Sequence, residues 1–202
     1  MDDEEVRKLT DMVLDEMHAD RVSGLLEANL AERTTWDEPP ELHIICKDNC
    51  EDSEPGWHLH HTPAPPGWWN ADRPPVMLMK LALAMGRYPE MFRYDEIPSL
   101  ESFAGVAFFC ETWSVAVPAS GEAAERLRRA SVEHELHKQP ERVEARCMWA
   151  CDINGRLYAA IQQRGKEVSS EEISDLDHDG TVIQAVSELV MNMRVVLTPD
   201  TV

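Results

Sequence analysis

The stretch VEARCMWACDINGRLYAAIQQR, residues 143–164, decides the fold. Val143, Ala145, Cys147, Trp149 and Cys151 alternate with Glu144, Arg146, Met148 and Ala150. After Asp152-Ile153-Asn154-Gly155 the alternation resumes at Leu157, Ala159 and Ile161. Period-2 patterning on both sides of Asn-Gly predicts an antiparallel hairpin, because Asn and Gly tolerate the positive φ of a tight turn.

Outward from the hairpin, Phe103 to Val117 reads as a central strand or strand pair, apolar on both faces from Val106 to Cys110. Leu42 to Cys46 reads as a short strand after Trp36-Asp37-Glu38-Pro39-Pro40, whose prolines end a helical region. That region, residues 3–30, carries two apolar stripes, Val6 to Met17 and Val22 to Leu30. They are out of phase around Ala19-Asp20, which predicts a bent helix or two short ones. Val76 to Met85 and the stripe from Val182 to Met193 read as helices. Gly121 to His137 reads as a charged helix or loop and Lys166 to Asp179 as an acidic loop. Residues 47–75 read as a long irregular loop, rich in proline yet holding Trp57, Trp68 and Trp69. The sum is a single α+β domain over residues 1–202, an antiparallel sheet with helices packed on one face.

The charge balance constrains partners. Nineteen Lys and Arg stand against 38 Asp and Glu, a net charge of −19. Such a surface repels nucleic acid and anionic membranes and suits basic proteins, although it also serves plain solubility. The N-terminal Met-Asp-Asp-Glu-Glu has no secretory pattern, and no apolar run is long enough to span a bilayer. With an odd five cysteines, the expectation is a cytoplasmic protein with reduced thiols.

Four groups of residues carry chemistry worth testing. Cys46-x3-Cys50-x7-His58-x-His60-His61 could surround zinc with thiolate and imidazole ligands, Cys46, Cys50, His58 and His61 being the natural four. Its spacing departs from short zinc motifs, and the bland alternative is a packed Cys46 with solvated loop histidines. His58-x-His60 followed by Asp72 resembles the ligand arrangement of JAMM-type zinc hydrolases, where two His and one Asp leave a position open for water. Two positions depart from that family: His61 stands where it has Pro, and Trp69 where it has the Ser of the oxyanion support. Asp175-x-Asp177-x-Asp179-Gly180 matches the first half of a calcium loop, but Val186 replaces the bidentate Glu. The same carboxylates would cap the following helix. Glu111 shares a strand face with Phe109 and Trp113, where a carboxylate needs a partner, a hydrogen-bond set or a bend into water. It is the weak candidate for a catalytic residue. There is no dinucleotide fingerprint, P-loop or nucleophile elbow.

Thr35 to Pro40, Gly105 to Phe108 with Glu111 and Trp113, and Arg142 to Arg146 leading to Trp149-Ala150 and the 152–155 turn together resemble an uncharacterised protein family of actinobacteria and the phages that infect them. The resemblance covers residues 35–165 loosely and brings no established activity. It implies a small accessory protein, encoded by a phage and acting on a host protein. The expectation is therefore an acidic, non-catalytic accessory protein that binds a basic protein partner and holds no cofactor. The alternative is a zinc protein, structural or JAMM-like, built on the His58–Asp72 loop.

Overall fold

The computed structural model describes residues 3–48, 56–64, 67–92, 99, 102–118, 120–133, 135–173 and 181–197, with side chains from residue 18 onward except that of residue 132. Helix α1 spans Asp3–Glu32, α2 Pro74–Arg87, α3 Glu122–Val132 and α4 Thr181–Leu197. The strands are β1 (Glu41–Lys47), β2 (Trp57–Thr62), β3 (Phe103–Ser114), β4 (Val143–Asp152), β5 (Leu157–Gln163) and β6 (Val168–Ile173). They form one antiparallel sheet in the order β2-β1-β3-β4-β5-β6.

The α+β class and the 143–164 hairpin stand as read. β4 and β5 pair from Ala145↔Gln163 to Cys151↔Leu157, and Gly155 takes φ 83 in the turn. The amide of Gly155 donates to the carbonyl of Asp152 at 3.0 Å. Trp149 packs against the core, as expected from its face.

Helices cover both faces of the sheet rather than one. Leu42, Ile44, Val106, Phe108 and Leu157 bury against α2 and α4. Their neighbours along the same strands, Ile45, Ala107, Phe109 and Tyr158, bury against Val22, Leu26 and Leu30 of α1. The central strands are apolar on both faces, and each face demands its own cover. Of the two readings of residues 3–30, the pair of short helices is excluded; α1 runs unbroken through Ala19-Asp20.

Two further departures lie at the sheet edges. The 47–75 loop contains β2, paired with β1 from Leu42↔Thr62 to Lys47↔Trp57. The acidic 166–179 loop contains β6, paired with β5 from Leu157↔Ile173 to Gln162↔Val168. Gly105 sits where β3 runs tight against the end of β4. A Cβ there would lie 2.5 Å from the carbonyl oxygen of Cys151 and 2.9 Å from Cα of Asp152. Among the described residues no helix is long and apolar enough to cross a membrane.

Candidate functional site

The histidine loop becomes an ordered strand, and the register sorts its ligands. Cys46 lies opposite His58, Ile44 opposite His60 and His43 opposite His61. Side chains alternate along a strand, so His58 and His60 share the α2/α4 face with Cys46, while His61 lies on the α1 face. There its ring centroid is 5.5 Å from that of His43. The four-ligand set is therefore split across the sheet, and its fourth member, Cys50, lies outside the described residues. Burial pushes the Cys46 thiol up to about 11, with Asp48 adding to the rise, so it is not a thiolate near neutrality. His58 Nδ1 is 3.3 Å from Asp48 Oδ1 at the open edge. Asp72, the third ligand of the hydrolase-like set, accepts from Lys80 Nζ at 3.0 Å and from its neighbour's amide at 2.8 Å. Among the described residues, no three His, Cys, Asp or Glu side chains gather closely enough to hold a metal. Asp175, Asp177 and Asp179 lie outside the described residues.

Glu111 is half-buried and accepts two backbone hydrogen bonds, from Asp37 at 2.9 Å and Glu38 at 3.4 Å. Asp37 holds φ 67, a left-handed turn just past the end of α1. Opposite Glu111 in the ladder is Arg146, 4% exposed. Its Nε donates to Gln162 at 2.6 Å, and its two terminal nitrogens donate to the carbonyls of Thr35 (3.2 Å) and Arg33 (2.5 Å). Its guanidinium carbon lies 5.2 Å from the centroid of the Trp36 ring. Arg33 in turn pairs with Glu38 and Glu41, each at 2.5 Å, and covers the Phe109 ring at 3.5 Å. Glu41 Oε2 also lies 3.1 Å from His43 Nε2, and hydrogen bonds from His43 and then Arg33 hold its carboxyl at about 2. Burial lowers the Arg146 pKa, with the Glu38 charge opposing. Thr35–Glu38, Glu111 and Arg146, residues drawn from all three of the resembling stretches, thus meet in one network. Its charges and carbonyls are matched internally, which makes it a clamp that docks the 33–40 connection onto the sheet.

A second buried cluster escaped the sequence reading. Asp152 is fully buried. Its Oδ1 accepts from the amides of Asn154 (2.8 Å) and Arg156 (2.9 Å), and its Oδ2 from the Tyr158 hydroxyl at 3.0 Å. His18 Nε2 stands 3.3 Å from the same Oδ2, and its ring meets Trp57 edge-on at 4.6 Å. Burial, with the Asp152 charge adding, pushes the Tyr158 hydroxyl well up. The Asp-x-Asn-Gly signature gave a signal for the amide capping. Nothing in sequence spacing links His18 to a residue so far along the chain. The cluster ties α1 to the β4–β5 turn.

One open cleft is built by the tryptophans. Gly67, at φ 74, lets the chain turn into a short 3-10 segment, Trp68–Asn70. Trp69 packs on Phe108 with ring centroids 5.4 Å apart. Trp68 and Trp69 then wall a cavity of about 520 Å³ with Leu81, Met85, Met91 and Phe92, closed on the sheet side by Thr62 and Leu42. Trp57, Trp68 and Trp69 are all half-buried, and Trp57 packs against the α1-side core.

Compared with protein-family models, curated proteins and solved structures, the chain matches none.

Proposed function

We propose that the protein acts by binding a basic protein partner through the layer formed by α2, the short turn Pro89–Phe92 and α4. The carrying observation is where apolar surface lies. Six large apolar side chains stand out as exposed among the described residues. Five belong to this layer: Leu83 (63%), Tyr88 (43%), Met91 (71%), Met191 (54%) and Val195 (56%). Apolar exposure concentrated on one layer is a mark of interaction surfaces, and methionine and aromatic side chains are enriched at them.

The partner's chemistry follows from charge. With a net charge of −19, the chain attracts a positive partner over a distance and repels nucleic acid. Of the acidic stretches 48–54 and 167–179, residues 49–54 and 174–179 lie outside the described residues. Those that are described, Asp48, Glu167, Glu171 and Glu172, are exposed. Catalysis has no comparable support: Glu111 caps a turn, and Asp72 is paired with Lys80.

Capture from a lysate of the source cell at low and high salt, with wild type beside Leu83→Lys and Met191→Lys, tests the reading. Both positions are exposed, so neither change disturbs the core. The expected result is a basic protein retained at low salt, released at high salt and lost by both variants. A partner retained equally by the variants would refute the assigned layer.

A further inference from the structure

We infer that the cavity between β2, the Trp68–Asn70 segment and α2 is a binding site for a neutral, mostly apolar small molecule carrying one amide or hydroxyl group. This goes beyond partner binding and rests chiefly on Trp68, Thr62 and Trp69, which lie outside the partner layer, although Met91 borders both. The cavity holds about 520 Å³, inside the range of roughly 300–1,000 Å³ typical of small-molecule sites. Its walls are aromatic and aliphatic, and among the described residues no ionisable side chain lines it. A charged ligand would lose its hydration there with nothing to replace it. The ligand is therefore neutral.

The polar group of the ligand follows from two protein atoms. Trp68 Nε1 and Thr62 Oγ1 are both shielded from water, and neither has a hydrogen-bond partner. Both residues line this cavity. An unmet buried donor or hydroxyl costs about 1–3 kcal/mol, so native proteins rarely keep one. Two beside one cavity are the complement of a ligand with a matching polar end. The indole N–H only donates, so the ligand presents an acceptor to Trp68. The threonine hydroxyl both donates and accepts, so a second atom of the same group, an amide N–H or a hydroxyl, meets Thr62. In the proposed complex each side chain turns to bring its polar atom to the cavity wall. The remaining bulk of the ligand lies against Trp69, Leu81, Met85 and Phe92.

The free protein also makes a distinctive forecast. Thr62→Val deletes an unsatisfied hydroxyl while keeping its shape, so the unliganded protein keeps or gains stability. Trp68→Phe likewise deletes the orphan N–H and keeps an aromatic wall. Both variants lose the polar half of recognition. A residue with only a structural role would not separate stability from binding in this way.

The test is a titration of the full chain, followed by the indole N–H resonances of Trp68 and Trp69, with Trp69 as the reporter in Trp68→Phe. The probes are N-benzylbenzamide, benzyl alcohol and benzamide, with benzoate as the charged control and toluene as the apolar one. The amides and the alcohol are expected to shift the Trp68 resonance, and benzoate is not. Each variant should weaken amide binding about five- to tenfold, the worth of one hydrogen bond, and leave toluene unaffected. Leu83→Lys should bind the probes as wild type does, which separates this site from the partner surface. No response from any amide or alcohol, or equal binding by wild type and both variants, would overturn the site.

Discussion

Arg146 donates a hydrogen bond from Nη2 to the carbonyl oxygen of Arg33 at 2.5 Å, joining residues 113 apart in sequence. The last turn of α1 leaves carbonyls without helical partners, and Arg33 lies just beyond it. Arg146 reaches out from β4 to satisfy the backbone there. The arginine fork, whose separate donors also reach Thr35 and Gln162, does what lysine's single ammonium cannot.

Arg146→Lys is therefore expected to destabilise the protein by about 2–4 kcal/mol, close to the loss in Arg146→Met. Urea unfolding measures it. A lysine variant within experimental error of wild type would show that the clamp contributes nothing to stability.

The same clamp gives stability a pH dependence. Glu41 has its carboxyl lowered from 4.5 to about 2, first by His43 and then by Arg33. A depressed carboxylate contributes stability that is complete above its unfolded pKa and disappears as pH falls through its folded one. Wild type should exceed Glu41→Gln by about 1–3 kcal/mol at pH 7, after allowing for partial solvent screening. The gap should narrow from near pH 4.5 and close near pH 2. A gap independent of pH would mean that the contact acts through shape and not through charge.

Much of this architecture was legible in residues, and the strands that were missed are both at the sheet edges. The 143–164 hairpin and the central β3 were readable because their side chains carry the pattern that their burial demands. β2 and β6, read as loops, are the two edge strands of the sheet. Trp57–Thr62 carries three histidines, and Val168–Ile173 is Val-Ser-Ser-Glu-Glu-Ile, apolar only at its two ends. An edge strand is held by its neighbour's backbone and keeps polar side chains that discourage further pairing, so hydrophobic pattern is a weak guide to it. Two of the proposed zinc ligands diverge for the same cause. Once 57–62 is a strand, His58 and His61 lie on opposite faces. The His18–Asp152–Tyr158 cluster was hidden because only tertiary contact joins its members.

Gly105→Ala should be among the most damaging single changes. The added methyl group would meet backbone atoms of β4 at 2.5 and 2.9 Å, and backbone cannot yield as a side chain does. A loss of about 2–4 kcal/mol, or failure to fold, is expected by thermal and urea denaturation. Wild-type stability would mean that the β3–β4 spacing can relax.

The cysteines should be inert in the native state. Cys46, Cys110, Cys147 and Cys151 are buried and free. Burial raises all four thiols, Cys46 and Cys151 to about 11 and Cys110 to about 12. At pH 8 a disulfide reagent should label these four only after denaturant is added. Rapid native labelling of any of them, located by peptide mapping, would contradict the packing of that strand.

The central claim is that the α2–α4 layer receives a basic protein. Its most direct test is hydrogen exchange on the complex recovered at low salt, compared with the free protein. The account predicts new protection, or loss of side-chain reactivity on parallel footprinting, centred on Leu83, Met91, Met191 and Val195, with α1 unchanged. Protection confined to α1 or to the β6 edge, with this layer unaltered, would contradict it.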